Sequence, residues 1–285
     1  MMVSLNGRIV ENAYATVQAE SDGLYYGAGC FETFTSYSGK FLHLDRHIRR
    51  LNGGVSYLAG KDEDMFGQGQ IRSEILKLLE ANKLSEKRAR IRMQVSMADR
   101  LGYSPAGIEK TGFSVLITAA AIPERLHKTY SLATVETKVV PASCRPVNFK
   151  LSNMLHYRQA GIEAKRAGAD DALMLTVNGS VAETSIANIF WETDGTIYTP
   201  STSCDILPGV TRGIVLDLVK THKGKIIEGE FTLRELKSAT TVWICNSIKE
   251  IALVSKIDGL TYPTDSTLSR KLHQDFETYK KENLN

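Results

Sequence analysis

The chain has 285 residues, of which 42% are hydrophobic and 24% charged, with 35 Lys and Arg set against 32 Asp and Glu. This is the composition of a globular protein with one large or two smaller domains, and it excludes a disordered, collagen-like or low-complexity chain. A net charge of +3 is too balanced for a nucleic-acid binder by default, and no apolar run is long enough to span a membrane. The four cysteines, Cys30, Cys144, Cys204 and Cys245, form no Cys-x-x-Cys pair, which argues against a disulfide framework and a zinc site. The start, Met1 to Gly7, lacks the basic-then-apolar run of a signal peptide. A soluble, cytoplasmic protein without nucleic-acid or membrane partners is expected.

Along the chain, Val3–Leu5 and Arg8–Val10 flank Asn6-Gly7, a strong signal for a two-residue hairpin. Cys30–Tyr37 is rich in strand formers and turns through Ser38-Gly39-Lys40. Leu44, Ile48, Leu51 and Val55 then recur at helical spacing, as do Ile71, Ile75, Leu78 and Leu79. Ile91, Met93, Val95 and Met97 alternate with Arg90, Arg92, Gln94 and Ser96, the period of a half-buried strand with one polar face. Gly112–Ala119 reads as a further strand. The pattern breaks at Ala120–Arg125, so a small domain over 1–118, a linker over 119–126 and a larger domain over 127–285 that carries Lys150 are expected. In the larger part we expect a strand at Tyr130–Val140, a helix from about Asn153 to Arg166, and hairpins turning at Asn178-Gly179 and Asp194-Gly195. A helix after Pro208-Gly209, a strand at Thr240–Cys245 and a terminal helix at Leu268–Lys280 follow. Helices and strands mix without regular βαβ alternation, and no glycine-rich dinucleotide loop or Walker motif is present.

Four places hold residues suited to chemistry. In Pro208-Gly209-Val210-Thr211-Arg212 the N–H groups and dipole of a helix start suit a phosphate, and Thr211 adds a hydroxyl; a plainly capped helix has the same sequence. Asn246-Ser247 directly follow a strand, where a turn presents N–H and hydroxyl groups to an anion or is simply a turn. Lys150 lies between apolar residues where an extended segment meets a helix; such surroundings favour a nucleophilic amine, and a solvated lysine is the plainer reading. Glu183, amid small and apolar residues, needs a partner: a heterocyclic cation or a salt bridge. The basic clusters Arg46–Arg50 and Lys87–Arg92 are interleaved with apolar residues, which fits a small anion better than a polyanion.

Together, in this order, these stretches resemble the fold-type IV (class IV) pyridoxal-phosphate enzymes: branched-chain transaminases, D-amino-acid transaminases and aminodeoxychorismate lyases. The resemblance runs from about Leu5 to Ile257. It rests on Tyr26–Thr33, His47–Leu51, Lys150–Asn153, Ala182–Phe190, Leu207–Arg212 and Cys245–Ser247. It implies a mixed α/β fold with a small N-terminal domain and a larger, pyridoxal-phosphate-binding C-terminal domain built on a barrel-like sheet, and a homodimer. It also implies Lys150 as the Schiff-base lysine and proton shuttle, and Glu183 as the partner of the protonated pyridine nitrogen. Arg50, the N–H groups of Val210 and Thr211, and Asn246 with Ser247 are implied as the phosphate cup, with Tyr26 and Phe31 lining the substrate side.

Branched-chain transaminases usually have one more residue between lysine and asparagine, followed by a tyrosine. Here Lys150-x-x-Asn153 is followed by Met154, as in D-amino-acid transaminases and the lyases. The Arg-x-His carboxylate trap of D-amino-acid transaminases is absent from Ala98–Pro105, whereas Gly102-Tyr103-Ser104 and Cys245-Asn246-Ser247 lean toward the lyase. The substrate carboxylate is then expected on Arg90 or Arg92, because a guanidinium grips a carboxylate with two hydrogen bonds. The expectation is a transaminase acting on an amino acid, D-amino acids slightly favoured, and a 2-keto acid. Aminodeoxychorismate lyase and branched-chain L-amino-acid transaminase are the alternatives.

Overall fold

The computed structural model describes residues 1–62, 64–103, 112–123 and 129–285. Ser104, Pro105 and the Glu124–Leu126 end of the expected linker lie outside them. The chain forms two compact units: Met1–Glu124 with Phe149–Asn153 and Asn283–Asn285, and Arg125–Asn148 with Met154–Glu282.

The first unit contains β1 (Met2–Leu5), β2 (Arg8–Glu11), α1 (Asp22–Tyr25), β3 (Gly29–Tyr37), β4 (Lys40–Phe41), α2 (Leu44–Ala59), α3 (Gln68–Ala81), β5 (Arg88–Met97) and β6 (Phe113–Ala121). Its six-stranded sheet has the order β2-β1-β6-β5-β3-β4. The expected first hairpin forms: Leu5 pairs with Arg8, and Asn6 and Gly7 both take positive φ, 52° and 79°. That geometry is why Asn-Gly occupies the turn. In β5 the even-numbered side chains face outward and the odd-numbered ones are buried, as its alternation predicts. The buried row Ile91, Met93 and Val95 packs with Ile48, Leu51 and Val55 of α2 and Ile71, Ile75, Leu78 and Leu79 of α3 in one core.

The segment carrying Lys150, which the sequence reading assigns to the C-terminal part, packs in this first unit. Leu151 bridges Cys30 antiparallel, the Phe31 N–H donates to the Lys150 carbonyl at 2.8 Å, and Leu151 and Phe149 join the core of α2 and α3. The long-range pairing with β3 decides its place, and local sequence carries no sign of that.

The second unit contains β7 (Tyr130–Thr134), α4 (Leu155–Arg166), β8 (Asp171–Leu175), β9 (Val181–Thr184), β10 (Asn188–Thr193), β11 (Thr196–Pro200), α5 (Val210–Thr221), β12 (Lys225–Gly229), α6 (Leu233–Lys237), β13 (Thr241–Asn246), β14 (Glu250–Ile257), β15 (Leu260–Thr261) and α7 (Thr267–Asn283). Its curled, half-barrel sheet runs β12-β11-β10-β13-β14-β7-β8-β9, with β15 on β14. β7 is shorter than the expected Tyr130–Val140 strand. The Asp258 carboxylate takes the N–H and hydroxyl of Thr134, both at 2.7 Å, and beyond it Val135 and Val139 reach the ladder singly, on the Leu173 and Leu175 carbonyls. Among the described residues no helix is long and apolar enough to cross a membrane.

Candidate active site

In the first unit the two faces of β3 divide the labour. Phe31 lies opposite Gln94 on β5, and Thr33 opposite Arg92, so Phe31 and Arg92 are diagonal neighbours on the polar face. The Arg92 guanidinium lies 3.8 Å and the Lys150 Nζ 4.9 Å from the centre of the Phe31 ring. Arg92 also donates to the Gln94 side-chain oxygen at 3.0 Å, and the Gln94 amide donates to the Ser152 hydroxyl at 2.6 Å, linking the strand to the Lys150 segment. Burial, and then the like charge of Arg90, lower the Arg92 guanidinium below its ordinary value. Gly29 cannot carry a side chain here, because a Cβ would stand 2.5 Å from the Val95 carbonyl and 3.0 Å from the Ser152 hydroxyl. Arg90 shares the outward face of β5. Tyr26 follows α1 as its C-cap, is exposed, and packs its ring 5.0 Å from Tyr103.

The opposite face of β3 carries Glu32, which is fully buried. Arg50, on α2, grips it through Nε to Oε1 at 2.6 Å and Nη2 to Oε2 at 2.9 Å, and His47 Nδ1 lies 2.7 Å from Oε2. The spacing of three residues puts both side chains on one helix face. Burial alone would push this carboxyl up; Arg50 and then His47 pull it down to about 2. Arg50 thus has its fork fixed by a carboxylate that the sequence reading quoted only as part of a motif.

In the second unit Glu183, on β9, is buried. Its Oε1 accepts the Tyr157 hydroxyl at 2.5 Å and the Leu207 N–H at 3.2 Å, and its Oε2 accepts the Asn188 amide at 2.9 Å. Asn188 also donates to the Leu207 carbonyl at 2.9 Å. Gly209 is therefore required: a Cβ would come within 2.2 Å of the Asn188 side-chain oxygen. Gly209 is the N-cap of α5, so no side chain of its own caps the Val210 and Thr211 N–H groups. The Thr211 and Ser247 hydroxyls stand 3.5 Å apart at this helix start. Asn246 is placed differently from a direct anion donor. Its amide donates to the Ile186 carbonyl at 2.9 Å, and its oxygen takes the N–H groups of Ile248 and Lys249 at 2.9 and 2.7 Å, so it shapes the turn that presents Ser247.

Sequence reasoning missed Gln94 and Ser152 beside Arg92 in the first unit, and Tyr157 and Asn188 beside Glu183 in the second. Asn188 stood in a quoted stretch, five residues after Glu183, without a role; Tyr157 had no signal beyond its place on α4.

The donor sets fit pyridoxal phosphate. A buried carboxylate held by hydrogen-bond donors is a counter-ion for a protonated heterocycle, and an uncapped helix start with two hydroxyls suits a phosphate. The family model for class IV amino-transferases matches residues 29–257. The chain belongs to the class IV aminotransferase family. It is 31% identical to aminodeoxychorismate lyase of Bacillus subtilis, over 93% of this chain and 89% of that one. It is 28% identical to D-alanine aminotransferase of Listeria monocytogenes, over 97% and 95%. The fold matches a T.th. branched-chain amino acid aminotransferase solved with pyridoxamine 5'-phosphate, at TM-score 0.87 and 25% identity, covering 100% of this chain and 97% of that one. As a class IV aminotransferase the chain uses pyridoxal phosphate and acts on amino-acid and keto-acid substrates.

Proposed function

We propose that this aminotransferase moves an amino group from an amino acid, with D-amino acids preferred, to a 2-keto acid. The observation that carries the reading is the placement of two basic groups on the Phe31 ring, the Arg92 guanidinium at 3.8 Å and the Lys150 amine at 4.9 Å. A transaminase binds two substrates in turn and must hold each α-carboxylate in the same place. A guanidinium fixed on a strand beside the reacting amine does that without reorganising. The preference for D-amino acids is supported by the Lys150-x-x-Asn153 spacing and the likeness to D-alanine aminotransferase.

In this reading bound pyridoxal phosphate supplies the electron sink for the reaction. Lys150 holds the cofactor and carries the proton to and from the substrate's α-carbon. Glu183 keeps the pyridine nitrogen protonated. Val210, Thr211 and Ser247 bind the phosphate with Arg50, Asn246 shapes the turn, and Phe31 and Tyr26 line the substrate side. Exposed Leu24, Tyr25, Tyr26 and Tyr103 support a homodimer as the working form; light scattering at a monomer mass would overturn it. A cytoplasmic location belongs to the same proposal.

The second reading, an aminodeoxychorismate lyase, is favoured by the likeness to the Bacillus enzyme. The test offers D-alanine, L-leucine and aminodeoxychorismate to the yellow, cofactor-loaded protein in parallel. A transaminase bleaches with D-alanine alone and stops after one half-reaction per site, with the amino group left on the cofactor. A lyase stays yellow and releases pyruvate from aminodeoxychorismate with no keto acid present. Bleaching by L-leucine and not D-alanine would reverse the preference. If neither amino acid bleaches the protein, the transaminase reading fails. Borohydride should fix the cofactor to Lys150, and peptide mapping that finds another lysine would remove Lys150 from its role.

A further inference from the structure

Behind Glu183 stands a second layer of residues for which the family resemblance gives no role. Tyr157, in the first turns of α4, donates its hydroxyl to Glu183 Oε1 at 2.5 Å. The same phenol oxygen accepts a hydrogen bond from the Arg145 guanidinium. Arg145 Nη2 in turn lies 3.4 Å from His156 Nε2, and the His156 ring packs on Tyr157 with centroids 4.2 Å apart. Burial, and then Arg145, push His156 down to about 4, so it is a neutral acceptor at neutral pH and Arg145 is the cation of the group. Burial, and then Glu183, hold Tyr157 well above its ordinary value, so the phenol keeps its proton and remains a donor. On the β13 side Cys245 lies within electrostatic reach of Arg212 and of the same carboxylate; burial pushes its thiol up to about 12, so it stays neutral. The order is cation, phenol, carboxylate.

We propose that Tyr157 is a positioning residue that sets the charge of Glu183: polarised by Arg145, its hydroxyl keeps the carboxylate ionised and fixed in direction, so that the proton shared with the cofactor's pyridine nitrogen stays on the nitrogen. A phenol that accepts from a cation is a stronger donor, because hydrogen bonds in a chain polarise one another. Each donor on a carboxylate stabilises its charged form and lowers its affinity for a proton. Without Tyr157 the carboxylate becomes more basic, the proton shifts toward Glu183, and the neutral pyridine withdraws electrons less well from the substrate's α-carbon.

The inference rests on the role given to Glu183 above, and its first test is independent of the cofactor. In the full chain without cofactor, labelled with 13C at the glutamate carboxyls and assigned through Glu183→Gln, Tyr157→Phe should raise the pH midpoint of Glu183. The rise should be about one unit, a ten-fold change, the scale of a hydrogen bond to a charged acceptor. An unchanged midpoint overturns the proposal whatever the chain's activity. In the loaded enzyme, pyridoxal phosphate labelled with 15N in the ring should move toward the neutral-pyridine chemical shift in Tyr157→Phe, while cofactor affinity stays within about two-fold. If Tyr157→Phe does not fold, 3-fluorotyrosine at position 157, a more acidic phenol and stronger donor, should lower the Glu183 midpoint; a rise or no change overturns the proposal. A shifted midpoint with an unmoved 15N signal would leave a carboxylate that Tyr157 tunes but that does not serve the ring nitrogen, and so overturns the link to the cofactor.

Discussion

Two buried glutamates anchor the two units, and the protein treats them oppositely. Glu32 is enclosed by charge: Arg50 grips both of its oxygens and His47 adds a third contact, and the cluster pulls its carboxyl down to about 2. Glu183 accepts from a phenol, an amide and a backbone N–H, donors without charge of their own. Cationic partners neutralise a buried carboxylate and make it a scaffold. Neutral donors fix the direction of Glu183, which in the proposed function is the counter-ion to a protonated ring. Residue type alone does not separate the two; the charge of the donors does.

The largest expected effect breaks the first cluster. Glu32→Gln leaves Arg50 and His47 without their carboxylate in a buried site, which should cost about 3 kcal/mol or more in stability. Urea denaturation of Glu32→Gln beside the parent chain measures it; a loss below about 1 kcal/mol would show that the cluster is not anchored by charge. The pH dependence has a fixed sign. A carboxyl lowered from 4.5 to about 2 contributes stability that is complete above 4.5 and lost as the pH falls toward 2. The parent chain should weaken across that window, and Glu32→Gln should weaken less.

Glu183→Gln makes the opposite demand. The amide still fits its neutral donors in part, so unfolding and cofactor retention should change little. The half-reaction should slow by roughly 100-fold, because an amide does not hold the ring nitrogen protonated; removing one preorganised electrostatic contact has effects of that order. Stopped-flow bleaching with an amino acid measures it, and an unchanged rate would remove Glu183 from the chemistry. If Glu183→Gln instead destabilises the chain as much as Glu32→Gln, the contrast between the two glutamates collapses.

Arg50 tests whether the first cluster also serves the cofactor. Arg50→Lys keeps a charge for Glu32 and loses the planar fork, so cofactor retention should fall roughly ten-fold, the value of one charge-assisted hydrogen bond. Arg49, on the next position, is 77% exposed and pairs with Asp45 at 3.6 Å, so Arg49→Ala should change nothing measurable. Equal cofactor dissociation constants for the two variants would confine Arg50 to the scaffold.

Much of this was legible in the sequence where the signal is local. The alternation of Ile91, Met93 and Val95 with the arginines gave a strand with one polar face, and the Asn6-Gly7 turn gave its hairpin. What escaped is non-local. Lys150 packs in the first unit because Leu151 pairs with Cys30, about 120 positions away, and the partners of the buried Glu183 come from α4, β10 and the 207 position. Glu32 was visible only as one letter of a motif, because a glutamate in a strand shows nothing of the helix that faces it. The resemblance implies Asn246 in the phosphate cup, and its position after a strand also fits a plain turn; its hydrogen bonds join it to residues before and after, a geometry that only the folded turn defines.

The smallest expected effect separates the two arginines on β5. Sequence spacing left Arg90 and Arg92 equivalent, since both alternate outward. Their surroundings differ: Arg92 lies over the Phe31 ring, tied to Gln94, on the face that also meets Lys150, and Arg90 acts on it as a neighbouring like charge. Arg92→Ile should therefore raise the KM for amino acid and keto acid together by roughly ten-fold, with kcat less affected, since it removes a grip that both substrates use. Arg90→Ile should act in the same direction on a smaller scale. Removing a second positive charge near the carboxylate weakens its attraction, so both KM values should rise by about two-fold or less, the size of a solvent-screened pair interaction. Steady-state kinetics at low salt resolve the difference, and raising the ionic strength should erase the Arg90 effect before the Arg92 effect, because the exposed pair is screened first. If Arg90→Ile raises KM as much as Arg92→Ile, the carboxylate is gripped by the two guanidiniums jointly. If neither variant moves KM, the outward face of β5 does not touch the substrate.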